Sequence, residues 1–475
     1  MKLIAFILLQ FSVIQNQIIE KLNAFQESDG IRHGLLAASV HRISDNKTII
    51  NFNEDKVVNS ASTFKLITTA TAISKLGTNF KYITEVFYSG QIVSGVLVGD
   101  LILQSSGDPS FGSERGINTM DDVLTEIIKI LKGLNISKIE GNVFVDDETV
   151  YQYDSPDSWI WGDMGNYYGA LPHKFNVHEN YYTVYFEPGN NIGDVARINR
   201  LQPFDEDWEI VNLVKTGTRN SGDQVYIYSS PASSTLILKG TVPLGKSNFP
   251  VKGSIPNPAK LFRLTLIKTL NNANIAVEDK PEPVGISIST SDLHLIKRFY
   301  SQPLQDLARD CNFSSINIYA DAFLHTLALN DNGFETFNQG IESMKNHWLS
   351  KSLNLSGFNP KDGSGLSPST YITPKNMTDI LSSMTKEPFF ANYENTIPVF
   401  GQDGSVRYKD PKQKTGGRVR AKSGSIEGTR AFAGYFIDKN GEKYSFMIAV
   451  NQYEPNFLEK VKVFLDDFLV DIGSF

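Results

Sequence analysis

Residues 418–451, RVRAKSGSIEGTRAFAGYFIDKNGEKYSFMIAVN, decide the fold. β-Branched, aromatic and small side chains fill 419–422, 430–437 and 444–451, and Asn440-Gly441 between the last two is a hairpin signal, so the stretch predicts consecutive antiparallel strands. The residues that follow, 455–472, return apolar side chains at helical spacing. At the other end of the chain, 35–43 and 48–52 read as two more strands joined by Ser44-Asp45-Asn46-Lys47. Next, 62–76 reads as a helix, with Ile67, Ala70 and Ile73 on one side and Gly77 just past its end. Strands from both ends that can share one sheet, flanked by helices, predict an α/β core domain assembled from both chain ends.

Between those ends the texture changes. From about 84 to 253, short alternating segments separated by Gly, Pro, Asn and Asp predict a β-rich insertion, interrupted by one helix at 120–131. Helical spacing returns in 259–270, 291–299, 317–329, 334–349 and 374–384. The expected organisation is therefore a core from 17–83 and 255–475, with 84–254 inserted as a β-rich region of two subdomains.

Composition narrows the function. The chain has 475 residues, 41% of them apolar, which is enough for a sizeable core. Its net charge of −7 supplies no basic field for nucleic acid, and its single cysteine, Cys311, builds neither a disulfide framework nor a thiolate zinc site and reads as an interior filler. Lys2 followed by the apolar runs 3–9 and 11–14 suits a signal peptide over 1–16 and export to the periplasm or beyond. Gln15-Asn16-Gln17 lacks the small-residue cleavage pattern, so a retained N-terminal helix is the alternative. No later stretch is apolar for long enough to span a bilayer, which leaves at most peripheral membrane contact.

Several short motifs fail on context. Gly240-Thr241-Val242-Pro243-Leu244-Gly245-Lys246-Ser247 has the letters of a phosphate loop, but residues 248–256, with two prolines, cannot open the helix whose amides would hold the phosphates. Neither G-x-S-x-G nor H-E-x-x-H occurs, and the seven histidines show no metal-ligand spacing. What remains is serine with lysine as its base, which works when burial or another cation keeps the amine neutral. S-x-x-K occurs at Ser44/Lys47 in a hairpin turn, at Ser383/Lys386 at a helix end, and at Ser62/Lys65 where a helix opens. Only the last places a hydroxyl beside helix-terminal N–H groups with the amine one turn on, although a plain helix cap and a solvated lysine would look the same.

Companion residues favour the catalytic reading. Lys422-Ser423-Gly424 ends a predicted strand, where a glycine lets a substrate approach the sheet edge, and Ser315 with Asn317 precedes a helix. Other matches, Lys215-Thr216-Gly217 and Lys414-Thr415-Gly416, fall in the insertion and in a turn-rich stretch.

Taken in order, Ala61-Ser62-Thr63-Phe64-Lys65, Ser314-Ser315-Ile316-Asn317 and Lys422-Ser423-Gly424-Ser425 resemble the three active-site motifs of the penicillin-recognising serine enzymes. The 253 residues from Ser62 to Ser315 resemble the class C low-molecular-mass penicillin-binding proteins, the D-alanyl-D-alanine carboxypeptidase/endopeptidases with a domain inserted after the first motif. Similarity extends to residues 99–103 with 107–110, 141–146, Tyr168-Gly169-Ala170, Asp362-Gly363-Ser364-Gly365-Leu366-Ser367 and 418–422, so it spans nearly the whole chain after the N-terminal signal. Departures are small: serine stands at 423 where threonine is commoner, and isoleucine fills the middle of the second motif.

The resemblance implies a penicillin-binding transpeptidase-like domain in which Ser62 attacks the bond between two terminal D-alanines of a peptidoglycan stem peptide. Lys65 would take the serine proton, Ser315 would relay it to the leaving amine, and Asn317 would hold the acyl-chain amide. The Lys422 cation would help to keep Lys65 neutral or, with Ser423, attract the terminal carboxylate, and the N–H groups of Ser62 and Ser425 would receive the oxyanion. Asp146, or Asp147 beside it, would meet the amino group of the diamino acid, although a solvated strand-end aspartate is an equal reading. No metal or organic cofactor would be required, and beta-lactams would acylate Ser62. Two rivals stay open: a beta-lactamase on the same domain, and an idle wall-binding or sensor homologue.

Overall fold

A computed structural model describes residues 2–145, 154–231, 233–278, 292–332 and 336–475, with side chains from Ile14 onward except Asn332. The chain forms two compact units, one from Met1–Phe80, Pro156–Ser158 and Pro303–Phe475, the other from Lys81–Ser155 and Trp159–Gln302.

The first unit is built on a five-stranded antiparallel sheet in the order Val419–Ile426, Thr429–Ile437, Lys443–Asn451, Leu35–Arg42, Lys47–Phe52. Leu35 pairs with Asn451 and Arg42 with Tyr444, so the two chain ends meet side by side as the alternation predicts. The central strand Lys443–Asn451 is buried from Tyr444 onward, which is the mark of a sheet covered on both faces. Helix Pro374–Met384 packs on this strand and on Leu35–Arg42, with the Ser382 and Ser445 hydroxyls 2.9 Å apart and Tyr435 donating to the Leu381 carbonyl at 2.7 Å. On the apolar side, Phe432, Phe436 and Ile448 join Leu465 and Phe468 of helix Leu458–Ile472 in one cluster with Ile18 and Leu22.

Those last two residues belong to helix Lys2–Gln26, which runs unbroken through the segment read as an export signal. From Ile14 on it is part of the core: Gln15 donates to the Ile49 carbonyl at 2.6 Å, and Phe25 stacks on Phe464 with centroids 3.7 Å apart. No helix among the described residues is long and apolar enough to cross a membrane.

Among the described residues, the second unit holds two four-stranded and two three-stranded sheets with helices Met120–Gly133 and Pro258–Asn272. Its apolar side chains form one cluster around Leu103, Ile127 and Phe262 and another around Tyr182, Val214 and Leu238. Two expectations are corrected here. The unit extends to Gln302 rather than ending at 254, because Arg263 in helix Pro258–Asn272 donates to the Val143 carbonyl and Phe262 fills the first cluster. The segment read as a helix over 291–299 is strand His294–Tyr300 where it is described; antiparallel pairing with Ile83–Tyr88 overrides a short and ambiguous apolar spacing. The phosphate-loop lookalike is the end of strand Thr235–Pro243 and the turn that leads to strand Phe249–Ser254, with no helix after it.

Candidate active site

Ser62 sits in a single 3₁₀ turn, Ala61–Phe64, that leads into helix Lys65–Leu76, so the helix expected from 62 becomes regular only at Lys65. Ala61 holds φ +45°, a conformation that a residue with a side chain adopts only when its surroundings enforce it. The enforcement is visible: Ala61 donates its N–H to Asn59 Oδ1 at 2.8 Å, and the Thr63 hydroxyl donates to the Ser60 carbonyl at 2.8 Å. A Cβ on Gly365 would lie 2.1 Å from the Ala61 carbonyl oxygen, so a glycine there lets a second loop close on the turn.

Helix Lys65–Leu76 is buried from Lys65 to Ile73 despite three threonines. Thr69 and Thr71 donate back to the Lys65 and Ile67 carbonyls, and Thr68 donates to the Gly363 carbonyl, so each hydroxyl is satisfied. Asn312 donates to Thr69 and to Thr396, tying helix Leu304–Ser314 to the same helix.

This framework fixes Lys65 with no exposed surface. Its Nζ lies 2.9 Å from Ser62 Oγ, 2.6 Å from Asn317 Oδ1 and 2.7 Å from the Ser364 carbonyl oxygen. Burial drives the Lys65 pKa below its ordinary value, against the pull of Cys311, Asp321 and Asp362. Ser315 is left-handed at φ +58° and caps helix Leu304–Ser314, and Asn317 opens helix Asn317–Asn332 two residues later. The sharp link turns the Ser315 hydroxyl to Lys422 Nζ at 3.0 Å, and Lys422 also donates to the Ser423 carbonyl at 2.7 Å. Lys422 is as buried as Lys65; burial and then the Lys65 cation push its pKa down to about 7.

The edge strand Val419–Ile426 packs on the Ser62 turn. A Cβ on Gly424 would lie 2.4 Å from the Ser60 carbonyl oxygen and 3.0 Å from the Thr63 nitrogen, so the packing of strand on turn requires a glycine here. The Ser423 hydroxyl is 2.8 Å from that of Ser405, and Ser425 is exposed. Ser62, Lys65, Ser315, Asn317, Lys422 and Ser423 therefore converge, while Asp146 and Asp147 lie outside the described residues.

Sequence reasoning missed the floor of this site. Asp321, wholly buried, accepts from the Gly363 N–H at 2.8 Å; Asp362 accepts from the Gly365 and Ser367 N–H groups and from Thr370 Oγ1. Together they shape the loop that offers the Ser364 carbonyl to Lys65. Burial, then Asp362, push the Asp321 carboxyl up to about 8. The signals were present, since Asp321 lies one helical turn beyond Asn317 and 362–367 is a Gly- and Ser-rich loop. Cys311 is a buried thiol whose pKa burial raises to about 12.

A two-sided antiparallel sheet with a serine, two buried lysines and a second serine at its edge defines the penicillin-binding serine enzymes as the class. The model of the D-Ala-D-Ala carboxypeptidase 3 (S13) family matches residues 18–470, and the chain belongs to that family. It is 26% identical to the D-alanyl-D-alanine carboxypeptidase DacB of Haemophilus influenzae, over 91% of this chain and 88% of the relative. It is 22% identical to the D-alanyl-D-alanine carboxypeptidase of Actinomadura sp. (strain R39), over 80% and 71%. The crystal structure of penicillin binding protein 4 (dacB) from Haemophilus influenzae superposes with a TM-score of 0.77 at 22% identity, covering 97% of this chain and 99% of that one. The same protein complexed with a novel beta-lactam gives 0.74 at 21% identity, covering 97% and 99%.

Proposed function

We propose that the chain is a serine D-alanyl-D-alanine carboxypeptidase that cleaves the terminal D-alanine from peptidoglycan stem peptides through an acyl-enzyme on Ser62. The observation that carries this reading is the fully buried Lys65 amine 2.9 Å from the Ser62 hydroxyl. A serine attacks a carbonyl carbon only as its proton leaves, and an amine whose pKa burial lowers is the more available to take that proton.

In the forward step Ser62 Oγ bonds to the carbonyl carbon of the penultimate D-alanine while its proton passes to Lys65. The oxyanion is received by the N–H groups of Ser62 and Ser425. Collapse of the tetrahedral intermediate breaks the C–N bond, and the leaving nitrogen takes a proton through Ser315, which the Lys422 ammonium supports from 3.0 Å. Lys422 and Ser423 draw the terminal carboxylate to the sheet edge, a charge-assisted contact that also favours the ammonium form of Lys422. Asn317 fixes Lys65 from 2.6 Å and offers its amide to the acyl chain. Water then displaces Ser62. Asp146 is the acidic group proposed for the amino end of the diamino acid. A beta-lactam enters the same sequence and stops at the acyl-enzyme.

Because the substrate lies outside the cytoplasm, the reading includes export, with the apolar residues 3–14 as the targeting segment. The test is incubation with a labelled penicillin and mass mapping of the modified peptide. Persistent label on Ser62, absent in Ser62→Ala, supports the peptidase; rapid turnover of the drug would make the protein a beta-lactamase, and absence of label an idle homologue.

A further inference from the structure

We propose that the second unit carries a glycan-binding platform: solvent-facing aromatic rings around Trp161, Tyr226 and Tyr167 that stack on the sugar faces of a β-linked amino-sugar chain. The choice of ligand rests on the functional reading above, since stem peptides are borne on such a chain.

The rings are exposed where burial would be expected. Trp161 is 60% exposed, Tyr226 51% and Tyr167 52%. In strand Gln224–Tyr228 the residues Val225 and Ile227 are buried, so Tyr226 and Tyr228 share the outer face, and the Tyr228 ring lies 4.9 Å from that of Trp161. Tyr167 follows Asn166, whose side chain is hydrogen-bonded to Ile227 of that strand, and the Tyr167 ring lies 5.5 Å from that of Tyr168. The row ends at Lys252, whose Nζ stands 4.0 Å over the Tyr181 ring and 6.0 Å from that of Tyr167.

This surface is held rigid from beneath. Asn166 and Ile227 exchange hydrogen bonds, Ile227 N–H to Asn166 Oδ1 at 3.1 Å and Asn166 Nδ2 to the Ile227 carbonyl at 3.4 Å. A Cβ on Gly165 would lie 2.1 Å from that same carbonyl oxygen. Ser254 donates its N–H to Gly165 and its hydroxyl to Met164, at 2.9 and 2.6 Å. The turn bearing Trp161 is thus clamped between strands Gln224–Tyr228 and Phe249–Ser254, so stacking there spends little conformational entropy.

Charge and chemistry choose the occupant. The Asp163 carboxylate accepts the Tyr168 hydroxyl at 3.2 Å, leaving Lys252 as the cation set against the rings. Nucleic acid calls for a basic field that a chain of net charge −7 lacks, and a lipid surface calls for a cluster of cations around an apolar wedge. A pyranose chain offers flat C–H faces for the rings, a rim of hydroxyl and acetamido groups for the tyrosine tips and, at muramic acids that carry no stem peptide, a lactyl carboxylate for Lys252.

The test measures binding of the full-length protein to peptide-free wall glycan and to a β-1,4-linked N-acetylglucosamine hexamer, beside D-alanine release from a soluble pentapeptide. Trp161→Ala and Tyr226→Ala should each weaken glycan binding by about tenfold, Trp161→Phe should keep most of it, and D-alanine release should stay at the wild-type rate. Wild-type protein that binds neither glycan, or alanine variants that bind as well as wild type, would overturn the platform. Glycan binding without D-alanine release would leave the platform standing and remove the peptidase reading instead.

Discussion

A lysine with no solvent contact folds only if it sheds its proton or finds carboxylates, and Lys65 stands between both outcomes. Burial lowers its pKa while Asp321 and Asp362 pull the other way. Asp321 is itself pushed up to about 8, so near pH 7 it is mainly neutral and leaves Lys65 free to be a base. Above about pH 8 its carboxylate appears and favours the Lys65 ammonium. Asp321→Asn keeps an oxygen for the Gly363 N–H and deletes the titration. Its kcat/KM at pH 7 should stay within about threefold of wild type while the alkaline limb of the pH profile moves upward. A large loss at pH 7 with an unmoved limb would make Asp321 a purely structural residue. The residues stood in view in the sequence but their coupling did not: a lone Asp in a helix and another in a Gly-rich loop meet only after 40 residues of chain fold back.

Elements were legible where their pattern was long, and misread where a neighbour decided them. The strands 430–437 and 444–451 emerge with their hairpin as Thr429–Ile437 and Lys443–Asn451, because alternation and Asn440-Gly441 leave one register. The 3₁₀ turn at Ala61–Phe64 was not legible, since its cause is the closure of Gly365 on Ala61 and of Gly424 on Ser60. Gly424→Ala should displace the edge strand from the Ser62 turn by a few tenths of an ångström or more. Acylation by penicillin should slow by about a hundredfold with unchanged far-ultraviolet circular dichroism, because misplacement on that scale is costly for reacting atoms. The N-terminal helix gives a second test at this level. Phe25→Ala removes the stacked partner of Phe464 at a half-buried site and should cost about 1–2 kcal/mol in urea unfolding while acylation of the folded protein keeps its wild-type rate. A slower acylation would tie that helix to the site.

At the size of the whole chain, the insertion was legible from texture alone, but its end was not: helix Pro258–Asn272 and strand His294–Tyr300 read like any helix-rich segment until their partners in the second unit are known. The first unit shows why so large an insertion is tolerated. Leu304 N–H bonds the Phe80 carbonyl at 2.8 Å and Gln305 N–H the Thr78 carbonyl at 3.1 Å, so the chain leaves and re-enters at one point. Global stability then carries the signature of the buried charges. For Lys422 the folded pKa of about 7 lies below the ordinary 10.5, so between those values the unfolded chain binds more protons and stability rises with pH; as pH falls to 7 that contribution is lost. Asp321 has the opposite sign: with its pKa raised from 3.8 to about 8, the folded state holds the extra proton and stability falls across that window. Lys422→Met keeps the apolar stem and deletes the ammonium, so its Tm should exceed that of wild type at pH 6 and the gain should shrink towards pH 10. Asp321→Asn should instead flatten the decline between pH 4 and 8. A Tm difference for Lys422→Met that stays constant from pH 6 to 10 would mean that Lys422 folds fully charged, and the electrostatic account of both lysines would fall with it.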